Sequence, residues 1–249
     1  MLYIGIPTYN STIHSETMLS IMNLKEIMAT FSIKIILDFE VGSLITRSRQ
    51  NILKRFYNSK ADYLLFIDAD ISGFEDYIVN LITFTENRIK SIFGLTYRKK
   101  HFIDLLNKNH TNLTMGINDA ESINNHYIKH AKANNIFNLN LHHSIEKTLE
   151  IAKKFDGFVK VKHLPTGCLL IPRETVTDLL KFYPKKQQFF NFFDPLVKDG
   201  EYLSEDFSFC HLIKTIGGGV FTNINFNIIH HQENNKFEGN YKDYLLSII

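Results

Sequence analysis

The stretch Asp62-Tyr63-Leu64-Leu65-Phe66-Ile67-Asp68-Ala69-Asp70 decides how this chain is to be read. From Tyr63 to Ile67 it is an unbroken apolar and aromatic run, the pattern of a strand covered on both faces. It then stops on two carboxylates separated by one small residue. Like charges so close repel, and partial burial adds a desolvation penalty. A divalent cation relieves both, and oxygen donors suit magnesium or manganese with coordination positions left for phosphates. Taken alone, two acids in a solvated turn would look the same, so the surroundings have to decide.

Working outward, Tyr3-Ile4-Gly5-Ile6 is a short strand stopped by the loop Pro7-Thr8-Tyr9-Asn10. Residues 15–31 carry apolar side chains at helical spacing, 32–39 reads as a second strand, and 43–58 as a second helix. A helix over 75–86 and a strand over 91–95 follow the aspartates. This alternation predicts an α/β protein with a mainly parallel central sheet flanked by helices. In such sheets ligands bind at the carboxyl ends of the strands, which is where Pro7-Thr8-Tyr9 and Asp68-Ala69-Asp70 fall. The stretch 98–140 is rich in Asn, His and Lys with weak periodicity. Beyond it the pattern predicts helices over 144–155, 174–182 and 205–216, the last ended by Gly217-Gly218-Gly219. Strands are expected over 159–161, 169–171 and 226–229. Without internal repeats or a flexible linker, 1–249 reads as one domain, with a nucleotide-binding half at 1–100 and an acceptor and catalytic half at 101–249.

The bulk composition agrees with an enzyme. Hydrophobic residues make up 44% and charged residues 22%, and the net charge of +2 argues against a dedicated nucleic-acid binder. No segment has the roughly 18 consecutive apolar residues of a membrane span. The amino-terminal residues read as a buried strand and not as a signal peptide, so a cytoplasmic location is expected, that of a host if the protein is viral. Cys168 and Cys210 lack metal or redox spacing and are expected to be buried thiols.

Further residues could carry chemistry. Ser204-Glu205-Asp206 places two acids at a helix start, favoured there by the helix dipole but also suited to general-base work. His230 and His231 end the last predicted strand, and one histidine can complete an oxygen-rich metal shell. Arg47 and Arg49 follow the second strand, and bidentate arginine contacts to a diphosphate are plausible at that edge. Arg98-Lys99-Lys100 place three cations after the strand at 91–95. Pro165-Thr166-Gly167-Cys168 sets a glycine just ahead of an apolar strand, where backbone can approach a ligand.

The ordered set, Pro-Thr-Tyr, an Arg-Gln-Asn helix, "LLFIDADI", "IFGLTYRKK", "LPTGCLLIPR", "YLSEDFSFC" and a late His with "FEGNY", resembles the GT-A glycosyltransferases related to family two, particularly small viral and bacterial members. The resemblance spans nearly the whole chain, 101–155 matching poorly. It implies a GT-A fold and transfer of a sugar from a nucleotide-diphosphate sugar, UDP- or GDP-linked, to an acceptor hydroxyl on a glycan or other molecule. It implies a Mn2+ or Mg2+ ion held by Asp68 and Asp70, with Ala69 between them. Pro7, Thr8 and Tyr9 would line the base, Arg49 would reach base or phosphates, and Gly167 would border the donor sugar. Glu205-Asp206 would be the acidic motif, with Asp206 preferred as base. Of the histidines, His231 fits the spacing to Phe237 and Gly239 better, with His230 the alternative. The acidic cluster usual after the second strand is missing, Asp38 being the nearest candidate for the nucleotide.

The expected chemistry is an inverting displacement, with charge on the departing diphosphate stabilised at Asp68 and Asp70 and the acceptor proton taken by Asp206. A sugar-phosphate nucleotidyltransferase would use similar carboxylates, but would carry a glycine-rich basic loop where Pro7-Thr8-Tyr9-Asn10 stands. A non-catalytic nucleotide-sugar or carbohydrate-binding module would not need both acidic pairs. A dehydrogenase is excluded by the absence of GxGxxG after the first strand. The stretch 101–155 is a candidate acceptor side or lid.

Overall fold

The computed structural model describes residues 1–98, 137, 139–232, 235–247 and 249. In chain order the elements are β1 (Leu2–Thr8), α1 (Ser15–Thr30), β2 (Ile35–Val41), α2 (Ile45–Asn58), β3 (Tyr63–Ile67), β4 (Ile71–Ser72), α3 (Ile78–Thr85) and β5 (Ile92–Leu95). They continue as β6 (Asn140–Leu141), α4 (Ile145–Lys154), β7 (Phe158–His163), β8 (Cys168–Pro172), α5 (Arg173–Phe182), β9 (Leu196–Lys198) and β10 (Glu201–Leu203). The last are α6 (Glu205–Thr215), β11 (Val220–Asn223), β12 (Ile229–Gln232), β13 (Asn235–Phe237) and α7 (Tyr241–Ser247).

Among the described residues the main sheet has eight strands in the order β2-β1-β3-β8-β5-β11-β7-β6. The parallel pairs β1–β2, β1–β3 and β5–β11 set the common direction, and β8 and β7 run against it. The chain is therefore an α/β protein whose central sheet is mostly of one direction and flanked by helices. Strands of both halves of the chain interleave in it. The apolar run at β3 is buried on both faces, as its composition predicts. Leu64 and Phe66 enter one hydrophobic cluster with α2, α5 and α6, while Leu65 and Ile67 enter the other with α1 and α3. Strand β8 divides in the same way, Leu169 and Ile171 against Cys168 and Leu170. Cys168 and Cys210 are free, buried thiols, and burial pushes the Cys210 thiol up to about 12.

Three differences from the sequence reading matter for the site. Strand β8 was expected simply as a strand, but it inserts antiparallel between β3 and β5, so its beginning lies beside the end of β3. Strand β2 runs on to Val41, which leaves Asp38 inside the strand, opposite Gly5, and not at its end. The strand expected at 226–229 forms later, at Ile229–Gln232, and leaves the main sheet. It pairs instead with β4 and β13 in a small three-stranded sheet directly behind Asp70. The hairpin β9–β10 was not anticipated. Its turn, Asp199-Gly200, has both residues at positive φ (51° and 82°), the geometry that Asp-Gly favours in two-residue hairpins.

Residues that end one element also begin the next. The guanidinium of Arg173, the first residue of α5, donates to the carbonyls of Ala61 (2.6 Å), Tyr57 (2.8 Å), Phe56 (3.0 Å) and Ser59 (2.8 Å), closing the carboxyl end of α2. It also lies over the Phe56 ring at 4.9 Å. These carbonyls have no partner inside the helix, and a cation there also meets the negative end of the helix dipole. Arg173→Ala is expected to cost about 2–3 kcal/mol, since hydrogen bonds from a charged donor are lost. For a chain of this size that lowers the melting temperature by roughly 5–10 °C, which calorimetry would check.

Candidate functional site

Asp68 and Asp70 leave β3 at the carboxyl edge of the sheet and enter a cleft of about 540 Å3. Its walls are Pro7 near the end of β1, the loop after it (Tyr9, Asn10, Thr12, Ile13, His14), Ile45 at the start of α2, and His231 and Gln232 of β12. Tyr9 is 76% exposed, an aromatic face open to a ligand, whereas Thr8 is buried in β1. The backbone of the aspartate turn is fixed from two sides. The Ala69 carbonyl accepts the His14 N–H, and the Asp70 carbonyl accepts the His231 N–H, both at 2.8 Å. The two histidine rings stack on one another, centroids 4.0 Å apart.

The side chain of Asp68 has a partner that the sequence did not announce. Arg49, 3% exposed, donates from Nη2 to Asp68 Oδ1 and from Nη1 to Glu205 Oε1, both at 2.8 Å. Burial works against the charge of this guanidinium. The nearby carboxylates of Asp68 and Glu205, with Tyr97 and Asp206, more than offset it and hold its pKa above the ordinary arginine value. Its Nε is buried without a hydrogen-bond partner among the described residues, so the fork is spent on the two acids. Arg49 is thus a tie between the carboxylates of Asp68 and Glu205. The helical spacing contained the clue, because Arg49 falls on the same face of α2 as Ile52, Leu53 and Phe56. Arg47 stays exposed and lines a neighbouring hollow with Glu40, Ser48 and Asn51.

Gly167 meets Asp68 because of the antiparallel β8. Ile67 is paired with Cys168, and the Asp68 N–H donates to the Gly167 carbonyl at 2.9 Å. A Cβ on Gly167 would lie 2.2 Å from the Tyr97 hydroxyl and 2.9 Å from Asp68 Oδ2. Tyr97, which sequence reasoning passed over, is therefore part of the site. Its hydroxyl accepts the Gly167 N–H at 3.1 Å, and its ring meets that of His230 edge-on at 5.0 Å. Burial, with the negative charges of Asp68, Asp206 and Asp70, raises its pKa well above the usual phenol value, so it stays protonated. Alternation along Phe93, Leu95 and Tyr97 in one cluster was the available signal.

The two histidines differ in their partners, His231 lining the cleft and His230 standing beside Asp70. His230 turns Nε2 toward Asp70 Oδ1 at 3.7 Å, with Nδ1 2.8 Å from the Arg98 carbonyl. His231 is 2% exposed, with Nε2 2.6 Å from Ser72 Oγ. The one-residue alternation of β12 sends neighbouring side chains to opposite sides, and it is His230 that faces the acid. Asp38 is not brought to the cleft. It receives Arg55 (2.9 and 3.0 Å) and the Tyr3 hydroxyl (2.6 Å), which corrects the nucleotide role expected for it. In the acidic pair, Glu205 faces Arg49 with 23% of its side chain exposed. Asp206 is 7% exposed. Its Oδ1 accepts from the Ser204 hydroxyl and, at 2.8 Å, from the Phe207 N–H, which binds the carboxylate to the start of its own helix. Arg98 donates to the Glu238 carbonyl at 3.0 Å, and Lys99 and Lys100 lie outside the described residues. Of the candidate acceptor stretch, so do 101–136 and 138.

For a divalent cation the donors are the hard oxygens of Asp68 and Asp70, with His230 beside the latter. No group of three His, Cys, Asp or Glu side chains is assembled for a metal among the described residues. Two carboxylates would leave an ion such as magnesium or manganese to complete its shell from a ligand's phosphates and from water.

No protein-family model and no curated protein matches the chain. Among solved structures, the crystal structure of A197 from STIV aligns with 96% of this chain and 94% of its own at 14% identity and a TM-score of 0.48, too distant to bear on activity.

Removing Arg49 leaves two acids facing each other without their cation. Arg49→Met is expected to destabilise the protein by about 3 kcal/mol, toward the low end for a broken buried pair because both acids keep some solvent. Arg49→Lys keeps the charge but offers one nitrogen for two carboxylates, and should recover only part of the loss in denaturant unfolding.

Proposed function

We propose that this protein is a glycosyltransferase of the GT-A type, using a divalent cation and a nucleotide-diphosphate sugar. The observation that carries the reading is the joining of two acidic motifs, Asp68-Ala69-Asp70 in the cleft and Glu205-Asp206 beside it, through the shared guanidinium of Arg49. One motif ends a central strand and the other begins a helix far away in sequence, an arrangement suited to holding a donor and activating an acceptor side by side.

In this reading Tyr9 stacks on the nucleotide base and Pro7 shapes the wall beneath it. Asp68 and Asp70, with His230 adjacent, would hold the cation, which when bound would supply Lewis-acid stabilisation of the charge developing on the diphosphate. Arg49 holds Asp68 in orientation. Gly167 lets Tyr97 and the backbone of β8 pack directly against Asp68, bordering the place of the donor sugar. Glu205 takes the proton from the acceptor hydroxyl as that oxygen attacks, being the more exposed of the two acids, while Asp206 orients the helix from which Glu205 projects. The attack is in line and inverts the sugar.

A thermal-shift screen of UDP- and GDP-sugars with and without manganese tests the reading, since a ligand bound only by the folded state raises the melting temperature. A shift that needs both nucleotide sugar and manganese, and disappears in Asp70→Asn, is expected; a shift indifferent to metal and to Asp70 would sink it. Glu205→Gln should lower turnover by about two orders of magnitude or more, the usual size of a general-base contribution, with donor binding intact. If Asp206→Asn instead abolished turnover in a folded protein while Glu205→Gln stayed active, the base would be Asp206. Gly167→Ala should lower stability in denaturant unfolding as well as weaken donor binding, since the added methyl meets the ring of the buried Tyr97 at 2.7 Å besides its hydroxyl and Asp68 Oδ2.

A further inference from the structure

The main sheet ends differently on its two sides. At one, the two-residue β6 pairs irregularly with β7. At the other, β2 runs for seven residues in unbroken register with β1, and among the described residues no strand lies beyond it. The Leu2 N–H donates to the Lys34 carbonyl at 2.8 Å and the Gly42 N–H to the Thr8 carbonyl at 3.0 Å. The even-numbered residues of β2 therefore turn their backbone groups toward β1. Alternation turns those of Ile35, Leu37, Phe39 and Val41 to the free edge.

The same residues form an apolar row. Leu2, Ile4 and Ile6 of β1 belong to the cluster beneath α1, and their register partners Ile35, Leu37 and Phe39 share that face of the sheet, with Val41 next in the row. Leu37, Phe39 and Val41 are 38%, 43% and 54% exposed, whereas every residue of β1 beside them is buried. The acids of β2 do not guard this edge. Asp38 and Glu40 lie on the other face, where Arg55 bonds them at 2.9 and 2.7 Å and Asn51 donates to Glu40 at 2.7 Å. An open edge is commonly blunted by lysine, proline or a bulge, and β2 contains none of these from Ile35 to Val41.

We propose that β2 is the interface of a homodimer, in which two copies join edge to edge about a two-fold axis at Leu37 and form one continuous sheet. A second copy fits because it supplies both a matching free edge and matching charges. Antiparallel pairing of Leu37 with the partner's Leu37 sets Ile35 against the partner's Phe39 and Phe39 against the partner's Ile35. All of these turn N–H and C=O to the edge, so about six hydrogen bonds form. Aromatic and β-branched side chains meet on the face beneath α1. On the opposite face the exposed Lys34 falls across from the partner's Glu40. Asp38 and Glu40 share one arginine and retain one negative charge, which that lysine balances. Centring the pairing on Asp38 instead would set two aspartates against each other, which disfavours that register. No residue of β2 lines the cleft, so the contact holds whatever reaction the cleft performs.

Sedimentation equilibrium of the full chain tests this, and should show a dimer that dissociates on dilution. Leu37→Lys sets two cations about 5 Å apart at the axis and should weaken association about a hundredfold or more. Lys34→Glu turns two attractive pairs into repulsive ones and should weaken it about tenfold, less as salt rises. Cysteine substitution reads the register. A bonded antiparallel pair has its Cα atoms about 5.5 Å apart, which suits a disulfide, whereas Ile35 would stand about 13 Å from the partner's Ile35. Oxidation should therefore link two copies of Leu37→Cys and not of Ile35→Cys, and the buried Cys168 and Cys210 take no part. A wild-type chain that stays monomeric at millimolar concentration overturns the proposal, even if a strand of another protein binds there. So does a dimer unaffected by Leu37→Lys in a folded variant, or one that links through position 35 and not 37. Should Leu37→Lys fail to fold, Lys34→Glu at its exposed position takes its place, and unchanged association there overturns the proposal as well.

Discussion

A guanidinium at 3% exposure, with a carboxylate 2.8 Å away on either side, is the contact on which the carboxyl edge of this sheet depends. Arg49 sits on the core-facing side of α2, one turn ahead of Ile52 and Leu53, so its position is set by the packing of an apolar helix. From there its planar fork reaches the end of β3 and the start of α6 at once. A lysine could neutralise either acid but could not fix the angle between two. The same guanidinium offsets the mutual repulsion of Asp68, Glu205 and Asp206 in a partly dry place.

Around that tie the backbone does the rest. His14 and His231 clamp the aspartate turn by its carbonyls, leaving the side chains of Asp68 and Asp70 directed by other partners. Gly167 and Tyr97 close the far side of Asp68, and His230 closes the side of Asp70. The site is built from strand ends, a helix start and a small sheet, elements whose positions the two hydrophobic clusters determine. Such construction favours fixed geometry over an adaptable loop.

What the sequence made legible was local. The alternation of apolar strands and amphipathic helices, the double-sided burial of β3, the acids at the helix start and the glycine before β8 all follow from residues close together in the chain. What it hid was pairing. Nothing between Asp68 and Asp206 says that β8 runs backwards between β3 and β5, or that β12 deserts the main sheet to stand behind Asp70. Both depend on contacts between segments more than a hundred residues apart. The choice between His230 and His231 turned on the same point, because a one-residue difference in where β12 begins exchanges the two faces. Asp38 misled for a related reason: strand β2 is longer than its most apolar portion, since Asp38 and Glu40 inside it are carried by Arg55.

The reversed β8 has a bearing on how the chain is made. As the polypeptide emerges from the ribosome, β1, β2 and β3 can pair among themselves, but the free edge of β3 stays open until residues 168–172 have appeared. Strand β5 waits longer still, needing β8 on one side and β11 on the other. A nascent chain therefore carries unsatisfied strand edges through most of its synthesis, the circumstance in which edge-to-edge association competes with folding. Production of this protein should accordingly gain more from slower synthesis or chaperone supply than from any change at its surface.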